Sequence, residues 1–147
     1  MTTTSEDRVS VFIAADPDTV WELLSDVTRI GQWSPECYRA MWLTSKRGEG
    51  AVFIGLNRDR GLVWPSPAVV TESERGKVFA FRAGSGVLWR YRLMAGNGGC
   101  HLVEERITAD EFRWVRAAYR VFLGGYGRRL GVLREGMRVT VDRIKAA

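Results

Sequence analysis

The chain has 147 residues, 46% of them apolar and 27% charged, the composition of an ordinary folded protein of one domain. At this length folding buries roughly two-thirds of the surface of the unfolded chain, so a hydrophobic core forms without staples, and a disordered, collagenous or disulfide-knotted chain is excluded. The net charge of +5 is uneven: residues 113–147 carry +7 and residues 1–112 carry −2.

No apolar run reaches the ~20 residues of a membrane span, and the start MTTTSEDR lacks the basic and greasy regions of a secretory signal. A cytoplasmic location is therefore expected. Cys37 and Cys100 have no Cys-x-x-Cys spacing and read as buried free thiols. His101 is the sole histidine, which leaves a His-rich metal site or a Ser-His-Asp triad without a second candidate. No metal and no cofactor are expected.

In chain order, Arg8–Ala14 reads RVSVFIA, with Val9, Val11 and Ile13 on one side and Phe12 on the other; it predicts a buried opening strand. Asp16-Pro17-Asp18 predicts a helix start, with Asp16 capping free amides and Pro17 in the first turn, where no donor is needed. Val20, Trp21, Leu23 and Leu24 form its apolar face. Ser25-Asp26 opens a second short helical stretch, Val27–Trp33, which ends at Ser34-Pro35 because proline disfavours helical backbone in the residue before it.

Strand patterns follow at Cys37–Trp42, Ala51–Asn57, Pro67–Glu74, Lys77–Arg82, Val87–Leu93 and Cys100–Thr108. Asn97-Gly98-Gly99 is a tight hairpin signal. Gly48-Glu49-Gly50 is read as a turn and not a phosphate loop, since a strand follows it where a phosphate site needs a helix. Seven strands joined mostly by hairpins imply an antiparallel sheet.

Beyond Asp110 the period becomes helical. Val115, Tyr119, Phe122, Tyr126, Leu130, Leu133, Met137, Val141 and Ile144 recur at three or four residues, with most arginines elsewhere on the wheel. Gly124, Gly125, Gly127 and Gly131 interrupt it, and because each glycine costs about 0.5–1 kcal/mol against alanine, a kink is expected near Gly124–Gly127, with Arg128–Lys145 the firmest part. The basic surface reads as the wet face of this helix. No nucleic-acid motif is present, so a nucleic-acid partner is not expected, and membrane contact by this helix is the lesser reading.

Strand, two short helices, antiparallel meander, long helix: this is the order of an α+β helix-grip fold, one domain over residues 1–147 with residues 1–7 a flexible lead-in. A strongly curved sheet cannot fill its own concave face, so the last helix closes it and leaves a cavity. The segments VFIAADPDTVWELLSDVTRIGQWSPE, GEGAVFIGLNRDRG, the FAF of Phe79–Phe81, WRYRL, GCHLVEERI and GMRVTVDRIKAA resemble the START-like, birch-pollen-allergen-like (SRPBCC) superfamily. The resemblance spans about residues 8–145 and is to bacterial polyketide cyclase/dehydrase and lipid-transport proteins. It implies either a carrier of a small hydrophobic, lipid- or polyketide-like ligand, or an aromatase/cyclase or dehydrase-type enzyme acting in the same cavity. Monomer and homodimer both stay open.

The candidate ligand wall is aromatic: Trp33, Phe53, Trp64, Phe79, Phe81, Trp89, Tyr91, Tyr119 and Phe122. Any one ring could fill the core. As a group facing a glycine-interrupted helix they suit a flat or greasy guest, because rings offer large contact area at little entropic cost. Polar orientation would come from Asn57, Tyr91 and Glu104, which are also the catalytic candidates. In Cys100–Thr108 two sets alternate, Cys100, Leu102, Glu104 and Arg106 against His101, Val103, Glu105 and Ile107, and periodicity leaves open which faces in. The resemblance favours Leu102 and Glu104 inward, a parity that places His101 outside; Asn57, on the same parity as Phe53 and Gly55, could support Glu104. Glu36, in WSPE, is read as structural before it is read as a residue of the cavity mouth.

Overall fold

The computed structural model describes residues 6–107 and 126–146, with side chains for 7–107 and 135–146. The elements are β1 (Glu6–Ile13), α1 (Pro17–Ser25), a 3-10 helix (Val27–Gln32), β2 (Cys37–Trp42), β3 (Val52–Asp59), β4 (Leu62–Glu74), β5 (Val78–Ala83), β6 (Leu88–Gly96), β7 (Gly99–Ile107) and α2 (Tyr126–Ala146). The strands form one antiparallel sheet in the order β1-β7-β6-β5-β4-β3-β2. The helix-grip arrangement is thus present, with the first strand paired to the last.

Two hairpins have a left-handed residue at both central positions, Arg60-Gly61 and Asn97-Gly98, the turn shape that matches the twist of flanking strands. Bulges between Cys37 and Arg39 and between Val70 and Glu72 shift the register and bend the sheet. β1 starts two residues earlier than the sequence pattern suggests, which places Asp7 in the sheet opposite Arg106. Asp16 occupies the N-cap of α1 without any side-chain capping bond. The capping carboxylate is instead Asp26, which accepts from the Thr28 amide at the start of the 3-10 helix.

β4 departs most from expectation. It begins at Leu62, not Pro67, and pairs with β3 through Trp64-Pro65-Ser66-Pro67. Prolines are tolerated there because β5 begins to pair only at Ala68. The side of β4 toward which Pro65 and Pro67 would direct an N–H therefore has no strand to receive it.

The core gathers Phe53, Phe79, Phe81, Tyr91, Leu93 and Leu102 from the sheet, Val20 and Leu24 from α1, and Val141 and Ile144 from α2. Met137 is buried with them, so the apolar stripe expected for the last helix is present over Met137–Ile144. α2 is tied to β1 by Arg138, whose Nη1 donates to the Ser10 carbonyl at 3.0 Å. The helix continues through Gly127 and Gly131; Tyr119, Phe122, Gly124 and Gly125 lie outside the described residues.

Candidate functional site

Between the concave face of the sheet and α2 lies a cavity of about 810 Å³, a size that accommodates a drug-sized organic molecule. Its inner wall is built by Phe53, Gly55, Ala68, Phe81, Trp89 and Tyr91, with Glu104 and Arg106 from β7 and Met137 and Thr140 from α2. The outer end is framed by Pro35, Glu36 and the β3–β4 hairpin, where Leu62 and Val63 are exposed. Gly55 keeps the wall open beside Cys37, whose Sγ would sit 3.0 Å from any Cβ added there.

The rings hold one another in place. Phe53 meets Phe81 edge-on at 5.0 Å between centroids and is backed by Trp42 at 5.6 Å, the geometry that aromatic quadrupoles favour. Of the candidate residues, Phe53, Asn57, Trp64, Phe81, Trp89, Tyr91 and Glu104 line the cavity. Trp33 does not; it is buried in the core with the Arg29 guanidinium over its ring at 5.6 Å. Phe79 contributes instead to a smaller depression with Trp21, Trp42 and Arg47.

The parity of β7 sets the electrostatics. Leu102, Glu104 and Arg106 share the cavity side, whereas His101 is exposed and edge-on to Phe12. Tyr91 stands opposite Glu104 in the register and donates its hydroxyl hydrogen to Glu104 Oε2 at 2.9 Å. Tyr91 thus supplies the support expected of Asn57. Glu104 Oε1 is buried without a hydrogen-bond partner among the described residues. Burial pushes the Glu104 carboxyl up to about 8, against a smaller opposing pull from the Tyr91 hydrogen bond. Burial, then the neighbouring Glu104 charge, also raises Tyr91 well above the usual phenol value.

Arg106 is the residue that sequence reasoning passed over. It shares the parity set of Leu102 and Glu104, yet it is not among the site candidates. It is 1% exposed, and its Nε and Nη2 both donate to Asp7 Oδ2, the former at 3.1 Å. Its Nη1 has no partner among the described residues. Cys37, Met137 and Thr140 also line the cavity without being among the site candidates. Cys37 is half-buried on the cavity wall, unlike the fully buried Cys100, and burial raises its thiol to about 11. Glu36 lines the cavity, and its carbonyl accepts from the Arg58 amide at 3.0 Å. Among the described residues no group of three His, Cys, Asp or Glu is placed to hold a metal ion, and no helix is long and apolar enough to cross a membrane.

The sequence matches the family model described as polyketide cyclase/dehydrase and lipid transport over residues 6–141. The chain belongs to this family. Solved structures with the polyketide cyclase/dehydrase fold agree over nearly the whole chain. The di-domain ARO/CYC StfQ from the steffimycin biosynthetic pathway superposes with a TM-score of 0.77 at 13% identity, covering 97% of this chain and 50% of its own. The chain thus spans half the length of that protein. An aromatase/cyclase of a Streptomyces species, Zhui, gives 0.73 at 16% identity, over 98% of this chain and 93% of its own. Major latex-like protein 151 of Panax ginseng gives 0.69 at 9% identity, over 97% and 96%. Among proteins of curated function, none matches the chain by sequence.

Proposed function

We propose that the chain binds one small, largely apolar molecule, lipid- or polyketide-like, in the cavity between the sheet and α2. The observation that carries this reading is the cavity itself: about 810 Å³, walled by Phe53, Phe81 and Trp89, with the buried polar side chains of Tyr91, Glu104 and Arg106 on its β6–β7 side. An apolar enclosure with a few convergent polar groups is the usual form of a small-molecule site. Family membership supports the reading, since the family model covers both cyclases and lipid-transport proteins. The direct test is a fluorescence titration, because Trp64 and Trp89 line the cavity. Saturable quenching by a flat apolar ligand is expected, and its loss when Ala68 is enlarged to Phe would locate the guest.

A second reading, an aromatase/cyclase or dehydrase-type enzyme, is favoured by Glu104. A carboxyl held neutral at pH 7 can give its proton to a carbonyl oxygen or to a departing hydroxyl, and Tyr91 fixes its orientation at 2.9 Å. This reading requires turnover of a polyketide-like substrate that falls by two or more orders of magnitude in Glu104→Gln, with substrate still bound. Binding without turnover in the native protein leaves the carrier reading standing alone.

A further inference from the structure

We propose that Arg106 and Glu104 form a two-point anchor for a carbonyl group, through which the cavity selects uncharged carbonyl compounds over carboxylates of the same shape. This rests on the cavity reading above and specifies the ligand chemistry it accepts.

The two residues lie two apart on β7, so their side chains leave the same face of the sheet about 7 Å apart. Both line the cavity, and their exposures are 2% for Glu104 and 1% for Arg106. Each keeps one polar atom without a partner among the described residues, Glu104 Oε1 and Arg106 Nη1. Folded proteins rarely leave buried polar atoms unmatched, and here two occur at one end of one apolar cavity. Arg106 Nη1 has only hydrogens to give, so the group that satisfies it must be an acceptor.

Charge decides which acceptor. Asp7 already balances Arg106 through Nε and Nη2, so the pair is neutral before any ligand arrives. Glu104, raised to about 8 by burial, is protonated at pH 6.5 and adds no charge. Among the described residues no further cation lines this end of the cavity, so a carboxylate ligand would place an anion there beside two acidic side chains without a countercharge from them, an arrangement with a heavy desolvation cost. Among the described residues, the remaining charged lining residues, Glu36, Arg58 and Asp59, belong to the β2 approach and the β3–β4 hairpin, not to the β6–β7 end. A ketone or ester oxygen accepts from Nη1 without changing the net charge, and the neutral Glu104 carboxyl can donate to the same oxygen's second lone pair or to a neighbouring one.

Three probes of matched shape test this at pH 6.5 by calorimetry and tryptophan quenching: 2-acetylnaphthalene, 2-isopropylnaphthalene and 2-naphthoate. The native protein is expected to bind the ketone at least tenfold more tightly than either of the others. The carbonyl stretch of the bound ketone should shift to lower frequency, and the shift should shrink in Arg106→Lys, which preserves the charge opposite Asp7 but not the guanidinium fork. Equal affinity for the hydrocarbon and the ketone would overturn the anchor while leaving the cavity reading intact. Naphthoate binding as tightly as the ketone would overturn the selectivity. Failure of all three to bind would remove both this inference and the reading on which it rests. The comparison among probes uses only the native protein, so it decides the matter even if Arg106→Lys fails to fold.

Discussion

Glu104 and Glu105 are neighbours on β7, yet one is pushed above its ordinary value and the other held below it. Adjacent strand residues face opposite sides of the sheet. Glu104 meets an apolar cavity and a single phenol. Glu105, on the outer side, is reached by Arg8 at 2.9 Å, Arg90 at 3.1 Å and Arg92 at 2.8 Å. Burial alone would raise Glu105, but hydrogen bonds from Arg90 and Arg8 and the nearby arginine charges outweigh it.

The pair gives opposite pH dependences. The folded state holds the Glu104 proton more tightly than the unfolded chain does, so its contribution to stability falls as pH rises from about 4.5 to about 8. Glu105 does the reverse, contributing above the ordinary carboxylate value and losing that contribution as pH falls through its lowered one. Glu104→Gln should therefore gain on the native protein in melting temperature between pH 5 and pH 8. Glu105→Gln should lose most near neutrality and converge with the native protein in acid. Thermal melts across pH 3–9 check both, and parallel curves for Glu104→Gln and the native protein would contradict the assignment.

Tyr91→Phe removes the bond to Glu104 Oε2 and leaves both carboxyl oxygens without a partner among the described residues. Stranding a buried polar group costs about 1–3 kcal/mol, and that loss is expected in denaturant unfolding. Because the Tyr91 hydrogen bond pulls the Glu104 value down, its removal should move the Glu104 titration to still higher pH. Carbon-13 NMR of the Glu104 carboxyl reads this directly.

Ala68 is buried on the cavity wall opposite Phe53 in the β3–β4 register. Ala68→Phe places a ring into empty space, so it should escape much of the ~1–3 kcal/mol that overpacking a filled core costs. Ligand affinity should fall at least tenfold with little change in melting temperature. Equal falls in both would mean that the space is not available to a guest.

Cys37 carries a thiol raised to about 11, so little thiolate exists at pH 8 and alkylation by iodoacetamide should be much slower than for an exposed cysteine. A bound guest should slow it further, because Cys37 lines the same cavity. Mass spectrometry of the alkylated peptide follows both effects.

The chain's pattern made the fold legible wherever periodicity and turn chemistry agreed. The alternation in Val87–Leu93 and the Asn97-Gly98 signal both appear in the structure as a strand and a tight hairpin. The β3–β4 hairpin was hidden because Arg60-Gly61 is not a strong hairpin dipeptide and because Pro65 and Pro67 argue against a strand unless one side of it is known to be unpaired. At the site, aromatic character identified Phe53, Phe81 and Trp89, but it could not tell them from Phe79, which faces a different depression on the same strand as Phe81. Arg106 was illegible for another reason. Nothing local shows that a charged residue will be buried; that follows from Asp7, 99 positions away along the chain, which the pairing of β1 with β7 brings opposite it.

The most direct test of the account is NMR mapping of the cavity during titration with 2-acetylnaphthalene. Saturable shifts are expected at Phe53, Phe81, Trp89, Tyr91 and Thr140, with Met41 and Val69 on the outer face unmoved. Shifts confined to the outer face, or none at all, would contradict the claim that a ligand occupies the space between the sheet and the last helix.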